Sequence, residues 1–309
     1  MAIIVLLVGF CFMVACENVS GSSASVGKST SSTEEVKQYS NEIQVVVLLG
    51  QSNMEGNSHN QYLTKTVGAE RASAFTAGYE KVKISYLNTV DGNSSGGQFV
   101  PTKVGQGYTV DRFGPEVGIA ESVSAIDPIK PVYIIKYAYG GTTLVNQWRS
   151  PSSRNTGVLY TGAVKYILDQ CKKLEDMDLY PIIKAICWMQ GESDASGSSY
   201  PQYGELEDNF VSDLRKDLAY YKDVESEIYF VDAGISDCPA WTQYVAVNNA
   251  KKALADADEY HFYIDTIAEG LKYNAEPVGA PDIYHYDSSS EIKLGNLFAQ
   301  VLLGQCLEI

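Results

Sequence analysis

Residues 43–54 read IQVVVLLGQSNM: an apolar run broken only by Gln44, stopped by Gly50, and followed at once by a serine, Ser52. A short valine- and leucine-rich run of this kind predicts a strand buried on both faces, as in the interior of a parallel sheet. Similar runs recur at residues 82–87, 132–138 (after Pro131), 182–189 (after Pro181), 228–233 and 261–266. Between them, residues 115–124, 162–174, 203–221, the alanine-rich 241–255 and 288–303 have helical spacing, the first with a proline near its first turn and the last opening on three serines able to supply an N-cap. Strands alternating with helices imply right-handed crossovers and a mainly parallel sheet covered on both faces, an α/β fold. Residues 88–112, rich in Gly, Asn and Ser, and residues 146–158 predict long loops. In an open parallel sheet such loops gather at the carboxyl ends of the strands, where ligands bind.

The chain has 309 residues, and the folded domain is expected over residues 41–309. Residues 2–14 are nearly all apolar but short for a membrane span, and fit the core of a signal peptide that lacks a basic start. Met13-Val14-Ala15-Cys16 resembles a bacterial lipobox, which would make residues 1–16 a lipoprotein signal peptide and Cys16 the acylated residue. A plain secretory signal and an uncleaved anchor are the alternatives. Residues 17–40 are rich in Ser, Thr, Gly and Glu, with too few large apolar side chains for a core, and predict a disordered tether. The expected location is therefore the bacterial cell envelope or surface, otherwise the secreted or periplasmic space.

Composition narrows the partners. With 23 basic and 38 acidic residues the formal charge is −15, and no basic block is visible. Such a surface repels phosphate backbones and anionic headgroups, so nucleic acid is excluded as an expected partner, and membrane contact is expected only through the N-terminal anchor. The 22 tyrosines suit sugar faces as well as ordinary core and rim packing. Cys171, Cys187, Cys238 and Cys306 are widely spaced without a CxxC pair, so a zinc site is not expected; Cys187, inside an apolar run, reads as a small buried hydrophobe.

Ser52 follows the first strand closely, so it lies at the carboxyl edge of the sheet, where backbone N–H groups suit a developing oxyanion. On position alone it is more readily a helix cap than a nucleophile. A nucleophilic serine needs a base and an orienting acid. The chain offers three histidines. His59 lies in a polar stretch and reads as a surface residue. His261 opens a predicted strand, at the edge opposite Ser52. His285, in Pro281-Asp282-Ile283-Tyr284-His285-Tyr286, lies in a loop before the last helix, on the carboxyl side of the sheet. Asp282, three residues earlier, is placed to hold the Nδ1 side of the ring and leave Nε2 to take the serine proton.

At this point the sequence resembles a family. Residues 43–54 are similar to the first block of the SGNH/GDSL hydrolase superfamily, in the branch of sialate O-acetylesterase-like proteins and carbohydrate esterase family 6 acetyl xylan esterases. Phe113-Gly114-Pro115-Glu116, residues 136–144 (KYAYGGTTL) with Trp148, residues 188–194 (WMQGESD), and Asp282 with His285 resemble that branch's later blocks in order, over about residues 42–304. The resemblance implies a flavodoxin-like three-layer α/β/α sandwich with a mainly parallel five-stranded sheet. It implies Ser52 as nucleophile, His285 as base and Asp282 as orienting acid. The oxyanion hole would comprise the Ser52 N–H, the Gly141 N–H (or that of Gly140) and the Gln190 amide. Gln51, Asn53, Glu192 and Asp194 would support these loops, with Glu192 as a second catalytic acid the alternative. Tyr139 and Trp148 would line a sugar subsite or pack in the core. The implied reaction is acetyl removal from an acetylated carbohydrate such as xylan, with no metal and no organic cofactor. Sialic acid esters and a catalytically silent carbohydrate-binding lipoprotein are the alternatives.

Overall fold

The computed structural model describes residues 41–88 and 92–309. The signal, Cys16 and tether expectations lie outside these residues. In chain order the elements are β1 (Glu42–Gly50), α1 (Ser52–Glu55), β2 (Ser58–His59), α2 (Leu63–Val67), α3 (Ala69–Ala77), β3 (Tyr79–Asn88), β4 (Val100–Thr102), β5 (Arg112–Phe113), α4 (Glu116–Ile126) and β6 (Val132–Ala138). There follow α5 (Val158–Glu175), β7 (Tyr180–Met189), α6 (Glu192–Ala195), α7 (Tyr203–Asp217), β8 (Tyr229–Ala233), α8 (Tyr244–Ala257), β9 (His261–Ile264) and α9 (Ser288–Val301).

All six apolar runs are strands of one sheet in the order β4-β3-β6-β1-β7-β8-β9, while β2 and β5 form a separate two-stranded ribbon. The sheet therefore has seven strands, not five. Six run parallel, and only β4 is antiparallel, paired to β3 at the edge. The extra edge strand arises inside the Gly/Asn/Ser-rich segment, where three residues find a free edge and no hydrophobic period marks them. The chain leaves β1 toward β3, fills the gap with β6, then crosses to β7 on the other side. The two ends of this reversal flank β1, and the crevice above it is the topological switch point.

Val45 to Leu49 are wholly buried, so layers cover both faces of β1. Gln44 survives in that run because its side chain is bonded: Nε2 donates to the Lys130 and Glu308 carbonyls, and Oε1 accepts from the Glu308 N–H at 2.7 Å. At α9 the cap differs from expectation. Asp287, not a serine, accepts the Ser290 N–H at 2.9 Å; a carboxylate one residue upstream takes the orphan donor and also favours the positive helix end. Cys171, Cys187, Cys238 and Cys306 are free and buried, Cys187 as a core residue.

Helices α4 and α9 touch backbone to backbone. A Cβ on Gly118 would lie 2.3 Å from the Ile292 carbonyl oxygen, and one on Gly295 would lie 2.1 Å from that of Pro115. Only helices lacking Cβ at both places approach this closely. Gly295→Ala is therefore expected to force them apart at a cost of about 1–3 kcal/mol, the usual range for overpacking. Urea denaturation measures it; an unchanged midpoint would show that the contact is not tight.

Candidate active site

Parallel register brings three strand ends level. Gly50 pairs with Ala138 on one side and Met189 on the other. The segments that leave these ends, residues 51–55, 139–144 and 190–195, emerge side by side. Gly50 has φ +152°, and a Cβ there would sit 2.1 Å from the Met189 carbonyl oxygen. Only glycine turns the chain at this point, which delivers Ser52 to the sheet's carboxyl edge.

A cleft of about 570 Å³ opens above this edge. Ser52, Gly140, Gly141 and His285 line it together with Gln51, Tyr139 and several residues without a sequence-based assignment. His285 Nδ1 lies 2.6 Å from Asp282 Oδ2. Burial works to raise the Asp282 pKa, but the hydrogen bonds from His285 and from the Tyr284 N–H (2.8 Å) outweigh it and hold the carboxyl below its usual range. Asp282 is thus held ionised and aimed at one nitrogen of the ring. The Ser52 N–H stands at the first position of α1, ahead of the Met54 and Glu55 N–H groups, which the Gln51 carbonyl takes at 2.9 and 2.7 Å.

The glycine pair separates into two roles. The Gly140 N–H donates to Glu55 Oε2 at 3.1 Å. Gly141 has φ +70° and open space where a Cβ would stand, so nothing screens it from the cleft. Of the two, Gly140 is the one whose N–H is taken by Glu55.

Gln190 does not reach the cleft. It is wholly buried, and its amide nitrogen donates to Gln51 Oε1 (3.2 Å), the Thr142 carbonyl (3.0 Å) and Asp194 Oδ2 (2.8 Å). Its carbonyl accepts from the Tyr203 hydroxyl at 3.0 Å. The side chain ties three loops together rather than presenting a donor to a substrate. Trp148 is likewise a core residue: fully buried, its indole N–H donating to Thr142 Oγ1 at 2.8 Å, its ring 5.3 Å from Trp188. Tyr139 does line the cleft.

The supporting set is brought together. Asn53 donates to Glu192 Oε1 (2.9 Å) and accepts the Tyr286 N–H (3.2 Å), joining α1, α6 and the His285 loop. Asp194 accepts the N–H groups of Leu144 (2.8 Å) and Val145 (3.3 Å), fastening the glycine loop to α6. Burial raises the pKa of both Glu192 and Asp194 against the lowering effect of these bonds. His261 opens β9 at the opposite edge, buried against Asp232. His59 is partly buried, its Nε2-bearing ring packed edge-on against Tyr62.

A profile of the family described as carbohydrate esterase, sialic acid-specific acetylesterase matches residues 42–304. The chain belongs to that family. It is a carboxylic ester hydrolase of the acetylesterase type. No curated protein matches the sequence. Among solved structures, the fold is similar to a protein from Arabidopsis thaliana (20% identity, TM-score 0.59, covering 85% of this chain and 98% of that one). It is also similar to NanS (15% identity, TM-score 0.60, 85% and 97%). A carbohydrate acetylesterase from Xanthomonas citri shares it as well (15% identity, TM-score 0.54), covering 84% of this chain and 55% of that one.

Several cleft residues of this acetylesterase had no sequence signal. Tyr108 comes from the long loop after β4, and Trp241 from the loop before α8. Trp241 and Tyr284 meet with ring centroids 5.6 Å apart. Glu55, three residues after Ser52, is almost wholly buried yet lines the cleft floor. Its spacing on α1 was the one available hint.

Asn53→Ala would strip Glu192 Oε1 and the Tyr286 N–H of their partner at once. The expected cost is about 1–3 kcal/mol, the penalty of a buried polar group left unpaired, with a fall in ester hydrolysis because the His285 loop loses its tie to α1. Paired denaturation and activity measurements test this; loss of stability with full activity would show that the tie does not position His285.

Proposed function

We propose that the protein is a carbohydrate O-acetylesterase that removes acetyl groups from neutral acetylated glycans such as xylan, by acyl transfer through Ser52, His285 and Asp282. The observation that carries this reading is the 2.6 Å contact between His285 Nδ1 and Asp282 Oδ2, with His285 and Ser52 facing one cleft. With Nδ1–H donating to the carboxylate, Nε2 is the nitrogen free to act as base. It takes the Ser52 Oγ proton as Oγ attacks the acetyl carbonyl. The Ser52 and Gly141 N–H groups receive the oxyanion; loss of one such donor costs about 3 kcal/mol in the barrier. His285 then gives its proton to the departing sugar oxygen, leaving an acetyl-enzyme. Water, deprotonated by His285, releases acetate and restores Ser52. Gln190 acts in this scheme through Gln51, by holding the Ser52 loop.

The preference for a neutral sugar rests on charge. None of the described residues lining the cleft is Lys or Arg, and the whole chain carries −15. A sialic acid carboxylate would find no cation there. Tyr108, Tyr139, Trp241 and Tyr284 line the cleft and offer aromatic faces for a sugar ring. Export as a lipoprotein acylated at Cys16 completes the reading, on the lipobox-like Met13-Val14-Ala15-Cys16 and the Ser-rich segment after it.

The decisive experiment is an acetate-release screen over acetylated xylan, simple acetylated sugars and O-acetylated sialic acids, with Ser52→Ala as control. Release from neutral sugars, abolished in S52A, is expected. Release only from sialic acids would move the substrate to the sialate class, and no release from any would leave a carbohydrate binder. For Cys16, labelled palmitate fed to expressing bacteria is expected to enter the wild type and not Cys16→Ala; equal labelling of both would remove the anchor.

A further inference from the structure

Glu55 is a carboxyl group that the scheme above does not use, although it stands beside the nucleophile. It closes α1 three residues after Ser52 and is 1% exposed. Oε2 accepts the Gly140 N–H at 3.1 Å. A Cβ built on Gly140 would lie 2.8 Å from Oε2 and 3.4 Å from the Ser52 Cβ. The Glu55 carboxyl and the Ser52 side chain therefore both border Gly140. Oε1 is buried without a hydrogen-bond partner.

The charged neighbours do not neutralise this carboxyl directly. Lys136 of β6 lies beneath it, wholly buried, but its ammonium donates to the Glu55 backbone carbonyl (2.8 Å), the Gln106 carbonyl (3.3 Å) and Glu116 Oε2 of α4 (2.8 Å). Its proton donors are all engaged without the Glu55 carboxylate. The other titratable groups lining the cleft are Tyr139 on the adjoining loop, with Tyr108, Tyr284 and His285.

We propose that Glu55 is a positioning residue for the oxyanion donor, acting in its neutral form: by accepting the Gly140 N–H it sets the Gly140–Gly141 peptide so that the Gly141 N–H faces the reacting carbonyl. This rests on the Ser52 reading above. The neutral form is the competent one because a carboxylate bonded to the Gly140 N–H would oppose the negative charge that forms on the substrate oxygen. Burial dominates the group, pushing its pKa up to about 7, with Lys136 and the Gly140 N–H working in the opposite direction. For an acid the neutral form prevails below the pKa, so turnover should decline as pH rises through about 7.

The test compares wild type, Glu55→Gln and Glu55→Ala on a neutral acetyl ester from pH 5 to 8.5, with Ser52→Ala alongside and thermal melts on each. A peptide that matters only in the transition state changes kcat rather than KM. E55A should lose about tenfold or more in kcat with KM little changed. E55Q keeps an acceptor for the Gly140 N–H and carries no charge at any pH. It should recover most of the kcat that E55A loses and show no alkaline decline near pH 7. Full kcat in E55A, or the same alkaline decline in E55Q as in wild type, would overturn the proposal. Activity surviving in S52A would instead bring down the acyl-transfer reading. An E55A protein that melts early leaves the decision to the E55Q profile.

Discussion

The site depends on a register. Gly50, Ala138 and Met189 end their strands opposite one another, so three connecting segments leave the sheet at the same height. That alignment is possible only because residue 50 lacks a Cβ: the Met189 carbonyl oxygen occupies the place one would take. A bulkier residue would push β1 from β7 or lift the Ser52 turn. The nucleophile candidate, the glycine loop and the α6 segment would then no longer meet. Position at the switch point adds a second consequence, since the chain departs from β1 in opposite directions and leaves a crevice rather than a covered edge.

Beneath that edge, polar groups carry the alignment into the core. Asn53 and Asp194 fasten the His285 loop and the glycine loop to α6, and Gln190 links three segments at once. Lys136 with Glu116 anchors the floor. A further buried group, Lys251 with Asp232 and Glu207, joins α8, β8 and α7, and Trp188 of β7 donates to Glu207 at 2.9 Å. Burial and the nearby Asp232 push Glu207 up to about 8, against the pull of Lys251. Such pairs add little net stability, since desolvation offsets their attraction, but breaking one leaves an uncompensated charge and costs about 3–5 kcal/mol. Their effect is to permit one arrangement of the loops and penalise others.

The strands were legible because burial on both faces demands continuous apolar runs, and all six such runs became strands. The edge strand β4 was not, since a short antiparallel partner needs only free backbone groups. Asp282 and His285 were legible because three residues apart in one turn is a local geometry. The directions of Gln190 and Trp148, the latter open between subsite and core, were not legible for a shared reason: their motif names the residue type but not which way it points. Gln190 turns inward to Asp194 and Thr142, and Trp148 turns inward to Trp188. Trp241 and Tyr108 reach the cleft through tertiary placement that no local spacing encodes, and Glu55 offers only its place three residues after Ser52.

The acids near the cleft divide by environment, and the division favours one assignment of roles. Glu192 and Asp194 are buried and shifted upward, toward the neutral form, and each is engaged with backbone or amide groups. Glu55 is also pushed up, to about 7. Asp282 alone among these four is shifted downward, and it alone bonds a histidine. Sites that run acid–base chemistry near neutral pH commonly drive their carboxyls apart in this way. In the proposed mechanism a charge-holding Asp282 would stabilise the imidazolium formed as His285 takes a proton. Glu192 bonds Asn53 and touches no imidazole nitrogen by hydrogen bond, so its geometry suits holding the loop. Of these four acids, the one held toward its charged form is thus the one bonded to the histidine, which is where the proposed mechanism needs a negative charge.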